Sequence, residues 1–265
     1  MRNTVFGGLM NKEWIVLKWL LALILLLDVV MITLAPLLTT NFVGNPDTLY
    51  DNTHIIVGTW FALHVFSGAF MLFVSLKKEM KNLEMWLHSP HPMVQLVGAK
   101  VMFAILIALG SLFFSCFLAS IVFYVIGDWT MELAWSGVLA LISVVLAISI
   151  KLVFITMVGW FFWSVYKVVN SRILFFSVPL IFIFFIITLT LWEQLRLNGF
   201  FDWLRTIVPV RLTNESFYNE HTSYFFMGFV PNGIAFSLGN VVFYLIISFV
   251  LLMIGSALFE KKVRV

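Results

Sequence analysis

Six apolar runs, each long enough to cross the roughly 30 Å hydrocarbon core of a bilayer, take up most of the chain. They read as Trp19–Thr39, Ile55–Leu76, Val101–Ile126, Leu133–Tyr166, Ile173–Leu191 and Ile234–Phe259. A backbone in hydrocarbon has no water to bond, so runs of this kind fold as helices that satisfy their own amides. The expected fold is therefore all-α, a polytopic membrane protein forming a single transmembrane domain over residues 1–265. Composition excludes the alternative of a soluble core, since 62% of residues are hydrophobic and 11% are charged, with a mean hydropathy of +1.05. The net charge of +3 does not point to nucleic acid, because the bases sit in short segments beside apolar runs, where they set orientation.

The segments between the runs alternate in charge type. Arg2, Lys12 and Lys18 precede the first run, and Lys77, Lys78, Lys81 and Lys100 separate the second from the third. Lys167 and Arg172 follow the fourth, and Lys261, Lys262 and Arg264 end the chain. The intervening segments carry Asp47 and Asp51, then Asp128 and Glu132, then a mixed set from Glu193 to Glu220. Threading six spans puts every lysine-rich segment on one side, which the positive-inside rule makes the cytoplasm, together with both termini. The fourth run is about 50 Å long as a helix and contains Lys151. Splitting it there would place the basic C-terminus outside, so one long helix is expected. Uncleaved anchoring by the first run is expected as well, since no signal-peptide cleavage pattern follows a short apolar core. The single cysteine, Cys116, lies inside the third run and reads as a packed core residue.

Between the second and third runs, a helix over Lys77–Pro92 would put Met80, Leu83, Trp86 and Leu87 on one face and Lys77, Lys78, Lys81 and Glu84 on the others. Such a stretch is either a solvated connector or an amphipathic element that lies on the membrane surface or enters a partner's groove. Ser89 suits a helix N-cap, and Pro90 and Pro92 suit a first helical turn, so a new helix is expected to run from here through Gly98 and Lys100 into the third span. The long segment before the last run repeats Phe200, Phe201, Leu204, Ile207 and Val208 at helical spacing, with Trp192 and Trp203 as interfacial rings.

The run Leu87-His-Ser-Pro-His-Pro-Met-Val-Gln-Leu-Val-Gly-Ala-Lys100 resembles the leucine, serine-proline, glycine-lysine pattern of ABC type-2 permeases, the membrane subunits of bacterial exporters. Leu9-Met-Asn-Lys-Glu-Trp14 resembles that family's amphipathic elbow, and the six-span layout is similar too. The resemblance implies several things. The Lys77–Pro92 segment would be a cytoplasmic coupling helix, with Met80, Leu83, Trp86, Leu87, Ser89 and Pro90 docking on a separate ABC ATPase subunit present in two copies. A second identical or similar permease chain would complete a dimer in the bacterial cytoplasmic membrane. Phe200, Phe201, Leu204 and Ile207 would belong to short helices closing an outer gate, beside the simpler reading of a flat interfacial helix. The chain lacks a Gly-x-x-x-x-Gly-Lys-Ser/Thr loop, so ATP and Mg would be bound by the partner, and no cofactor or catalytic residue is expected here.

Asp28 and Lys151 are the ionisable residues left deep inside runs, and charges there are costly unless paired. A mutual ion pair is the expected explanation, ahead of a proton relay. His64 is expected to bond between helices rather than to hold a ligand. His88 and His91 lack a third metal ligand nearby. The competing functional readings are a membrane scaffold or sensor and an ion-coupled secondary transporter using Asp28 and Lys151.

Overall fold

The computed structural model describes residues 5–43, 48–80, 92–127, 131–173, 176–205, 207–210 and 236–263. The fold is almost entirely helical. Its elements are α1 (Val5–Val29), a π-helical turn (Val30–Leu34), α2 (Ala35–Val43), α3 (Leu49–His64), α4 (Ser67–Glu79), α5 (Met93–Ile126), α6 (Met131–Asn170), α7 (Ser177–Leu197), the single turn α8 (Asp202–Arg205) and α9 (Leu238–Val263). A two-residue antiparallel pairing joins β1 (Pro209–Val210) to β2 (Phe236–Ser237). Among the described residues, five helical stretches are long and apolar enough to cross a membrane, and there are six if the bent pair α3–α4 is one span. This is a multi-pass membrane protein.

Local sequence explains where the helices run straight and where they break. Pro36 has no N–H to offer the carbonyl one turn back, and a proline ring there crowds that carbonyl. The chain responds with a π turn just upstream, in which the Ala35 N–H reaches the Val30 carbonyl. Thr33 and Thr39 return their hydroxyls to the Val29 and Ala35 carbonyls at 2.7 and 3.0 Å. The second apolar run, expected as one helix, is instead bent by 44° between α3 and α4. At the bend the Val65 and Phe66 amides reach back only three residues, and Ser67 Oγ donates to the His64 carbonyl at 2.7 Å. The bend brings Gly68 against α6, where a Cβ would collide with the Thr156 hydroxyl and press on Leu152.

The fourth run is a single helix, the 40-residue α6, with Lys151 inside it. The N-terminal stretch Leu9–Trp14 is not a separate elbow but the first part of α1, since neither proline nor glycine interrupts it before Val29. α5 begins at Met93, capped by Pro92 in an extended conformation (ψ 144°), so the start lies beyond the expected Ser89 cap. It runs on through Gly98 and Lys100 as expected.

Ring contacts give the relative directions of the helices. Phe154 meets Tyr244 and Trp163 meets Phe259, so α6 and α9 run parallel. Phe162 meets Phe184 while Phe154 meets Trp192, so α6 and α7 run antiparallel. One core cluster joins α1, α4, α5, α6 and α9 around Leu17, Leu72, Met93, Trp160 and Phe259. A second joins the π turn, α3, α5 and α6 around Ile32, Phe61, Leu112 and Ile148. α7 stays at the margin, and in its most apolar stretch no residue is buried.

Among the described residues from Phe200 to Val208, the helical part is the single turn α8. Gly199 takes a left-handed conformation (φ 66°) that ends α7, and the Phe200 N–H caps back to the Leu195 carbonyl at 3.2 Å. Val208 also has positive φ, which no helix continues through.

Candidate functional site: two buried polar clusters

α1 and α5 carry the chemistry. In α1, Glu13 and Asp28 are fifteen residues apart, close to four whole turns, so they lie on nearly one face. In α5, Lys100 and Ser111 are eleven apart, about three turns, and Ser115 follows one turn later. Packed in parallel, these faces meet at two levels separated by roughly 20 Å along the helix axis.

At the first level Lys100, buried at 4% exposure, forms a short ion pair with Glu13, which is itself 3% exposed. Its ammonium also donates to Ser75 Oγ at 3.0 Å and lies 3.4 Å from Glu79 Oε1. Ser75 donates its hydroxyl to the other oxygen of Glu13. Lys12, more than half exposed, pairs with Glu79 from the outer side. Two carboxylates thus meet two ammoniums, and the network as a whole is neutral. Neutrality and complete hydrogen bonding are the conditions under which buried charges are tolerated. Glu79 closes α4, and Lys100 stands in the second turn of α5.

At the second level the Asp28 carboxylate is fully buried. Trp60 Nε1–H donates to its Oδ1 at 2.9 Å, Ser111 donates to its Oδ2 at 2.9 Å, and His64 Nε2 lies 3.2 Å from Oδ1. His64 is also buried, with Nδ1 bonded to the Trp60 carbonyl at 3.0 Å and Nε2 within 3.2 and 3.3 Å of the Ser111 and Ser115 hydroxyls. Trp60 and His64 share a face of α3 by their four-residue spacing. Both helix irregularities abut this cluster: the π turn follows Asp28 by one residue, and the α3–α4 bend follows His64.

The expected helix-bonding role of His64 is what this geometry shows. Around Asp28 the structure places Trp60, His64 and Ser111. Lys151 sits half-buried on α6. The pairing of Glu13 with Lys100 is not among the expected contacts. The available signal is that each shares a helical face with a second polar residue in a span, Asp28 and Ser111.

Of the residues expected to couple to a partner, Met80 caps α4 and packs on the core around Leu72 and Met93. Leu83, Trp86, Leu87, Ser89 and Pro90 lie outside the described residues, as do His88 and His91. Among the gate candidates, Phe201 packs between Trp192 and Phe243 at centroid distances of 5.7 and 5.0 Å. Phe200 and Ile207 are exposed, and Leu204 is half-buried over the start of α9. The described residues contain no cluster of three or more His, Cys, Asp or Glu placed to hold a metal.

Comparison with family models, curated proteins and solved structures finds no match to this chain.

Proposed function

We propose that this chain is the membrane-spanning subunit of an ATP-driven exporter, with six spans, both termini cytoplasmic, and an amphipathic or lipid-like substrate moved outward. One observation carries the reading. The segment that resembles a coupling helix, Lys77–Pro92, contains Glu79, and the helix that follows it carries Lys100; a buried ionic network ties both residues to the Lys12–Glu13 pair of α1. An element that passes force from a nucleotide-driven partner to the membrane helices needs a stiff mount at both ends, and charge-assisted hydrogen bonds among three helices supply one. The alternation of helix directions supports the six-span count, and the bare face of α7 would lie against lipid or a second permease chain.

Trp86 is the largest apolar side chain of the segment and the expected anchor in the ATPase groove. Truncating a buried aromatic anchor costs on the order of 2 kcal/mol or more. Trp86→Ala is therefore expected to release or uncouple the ATPase, with Leu83→Ala weaker and Lys78→Ala nearly silent, while the protein stays inserted and folded. Co-purification of the ATPase subunit and substrate-stimulated ATP hydrolysis are the readouts. Retention of both at wild-type levels in Trp86→Ala would remove the main residue-level support for an exporter.

Orientation has its own test. Cysteines at Asn45 and Asn219 should react with an impermeant thiol reagent in intact cells, and cysteines at Asn82 and Ser171 should not. Labelling of the Asn82 position from outside would invert the topology and take the coupling segment away from any cytoplasmic ATPase.

The buried Asp28–His64 pair favours one second reading, an ion-coupled transporter. Transport in vesicles that needs an imposed proton gradient, and no ATPase subunit, would establish it over the first.

A further inference from the structure

The donor and acceptor accounting around His64 leads to a proton. The Trp60 carbonyl can only accept, so the hydrogen on the 3.0 Å contact belongs to His64 Nδ1. Ser111 has one hydroxyl hydrogen, and it is committed to Asp28 Oδ2. A neutral ring would then aim the Nε2 lone pair at two acceptors, Asp28 Oδ1 and Ser111 Oγ, both at 3.2 Å. Only Ser115, at 3.3 Å, is left to donate to it. The arrangement becomes attractive when one more hydrogen sits between Nε2 and Oδ1, either as imidazolium against carboxylate or as neutral ring against carboxylic acid. In both forms the pair is neutral overall, which is the state a membrane interior tolerates.

We propose that Asp28 and His64 together form an intramembrane proton-binding site, holding one dissociable proton between Oδ1 and Nε2 and using it to keep α1 packed on α3 and α5. Releasing the proton breaks the bond to the pair and hands the hydrogen to water or hydroxide. A carboxylate is left facing a bare ring nitrogen, and the repulsion falls where the backbone already deviates, between the π turn after Asp28 and the bend after His64. The outer part of this helix group then separates.

The other titratable groups on the surrounding elements are few. Cys116 follows Ser115 on α5, and Lys151 lies on α6, which packs with α3 and α5 in the same core cluster. Tyr50, Asp51 and His54 stand at the far end of α3, and Tyr124 at the far end of α5. Lys12, Glu13, Lys18, Lys77, Lys78, Glu79 and Lys100 stand at the opposite ends of α1, α4 and α5, and Tyr166 and Lys167 near the end of α6. The inference is independent of the exporter reading, because a proton site serves an ATP-driven or an ion-driven cycle.

The test begins with the full chain in lipid vesicles, with His54, His88, His91 and His221 replaced by glutamine so that His64 alone reports. Nitrogen-15 histidine and carbon-13 aspartate spectra at pH 7 are expected to show a proton on the pair: two protonated ring nitrogens, or a protonated Asp28 carboxyl assigned by its loss in Asp28→Asn. A ring with bare Nε2 beside an ionised Asp28 would overturn the site, and this measurement needs no folded site variant. The packing role is read by spin labels at Leu38 and Phe117, in a Cys116→Ser background. Their separation should widen as pH is raised in the wild type and stay constant in Asp28→Asn. A separation insensitive to pH in both, or equally sensitive in both, sinks the packing role.

Discussion

Lys100→Met is expected to remove most of the folded protein from a detergent extract. Without its ammonium, Glu13 keeps only the Ser75 hydroxyl, at a position 3% exposed, and Glu79 keeps only the outer contact with Lys12. Breaking a buried pair by deleting one partner costs about 3–5 kcal/mol, because the remaining charge stays desolvated. That approaches the whole stability of many domains, about 5–15 kcal/mol. Glu13→Gln together with Lys100→Gln removes both charges and should recover much of the yield, since amides can still bond to each other and to Ser75. Lys12→Ala is the contrast: its side chain is 58% exposed, and exposed pairs contribute about 0–1 kcal/mol. The measurement is the monodisperse fraction on size exclusion and the thermal midpoint of each variant. If Lys100→Met behaved like Lys12→Ala, the network would not be holding the three helices together.

Gly239→Ala should have the second largest effect. A Cβ at this position would overlap the backbone carbonyl oxygen of Leu204 and press on Ile207. A backbone oxygen cannot rotate away as a side chain can, so the segment from α8 to Val208 must lift from α9. Two hydrogen bonds go with it, from the Leu238 and Gly239 amides to the Val208 and Ile207 carbonyls at 3.2 and 3.1 Å. Overpacking of this kind costs about 1–3 kcal/mol, and each lost bond about 1 kcal/mol more. Gly110→Ala is the control, because a Cβ there meets nothing within 4 Å and a helical alanine is better than glycine by about 1 kcal/mol. Thermal midpoints should therefore move in opposite directions. A Gly239→Ala protein as stable as wild type would mean that the outer segment is not docked on α9.

What is legible in the sequence is set by hydrocarbon length and charge. Runs of about twenty apolar residues mark helices whatever their neighbours do, so α5, α7 and α9 follow from run length and composition, and the single long α6 from the charge rule as well. The break between α3 and α4 is not legible, because it arises from tertiary demands: Gly68 must meet Thr156, and His64 must turn toward α1 and α5. The stripe from Phe200 to Val208 misleads for a similar reason. Its apolar spacing is helical, yet Phe201 is claimed by Trp192 and Phe243, and Val208 turns into the pairing with Phe236–Ser237. The surroundings of Asp28 are not legible either, for a simple reason. Charge sign points only to other charges, whereas an indole and a hydroxyl donate to this carboxylate, and no pattern of charge announces them.

α1 also bears on how the protein is made. It is synthesised before the partners of its buried carboxylates: Lys100 lies 87 residues beyond Glu13, and Ser111 lies 83 beyond Asp28. At about 5–20 residues per second, the first helix waits roughly 4 to 17 s for those partners. Release into lipid during that wait would leave Asp28 in hydrocarbon without its Ser111 bond. The first three spans are therefore expected to leave the insertion machinery as a group.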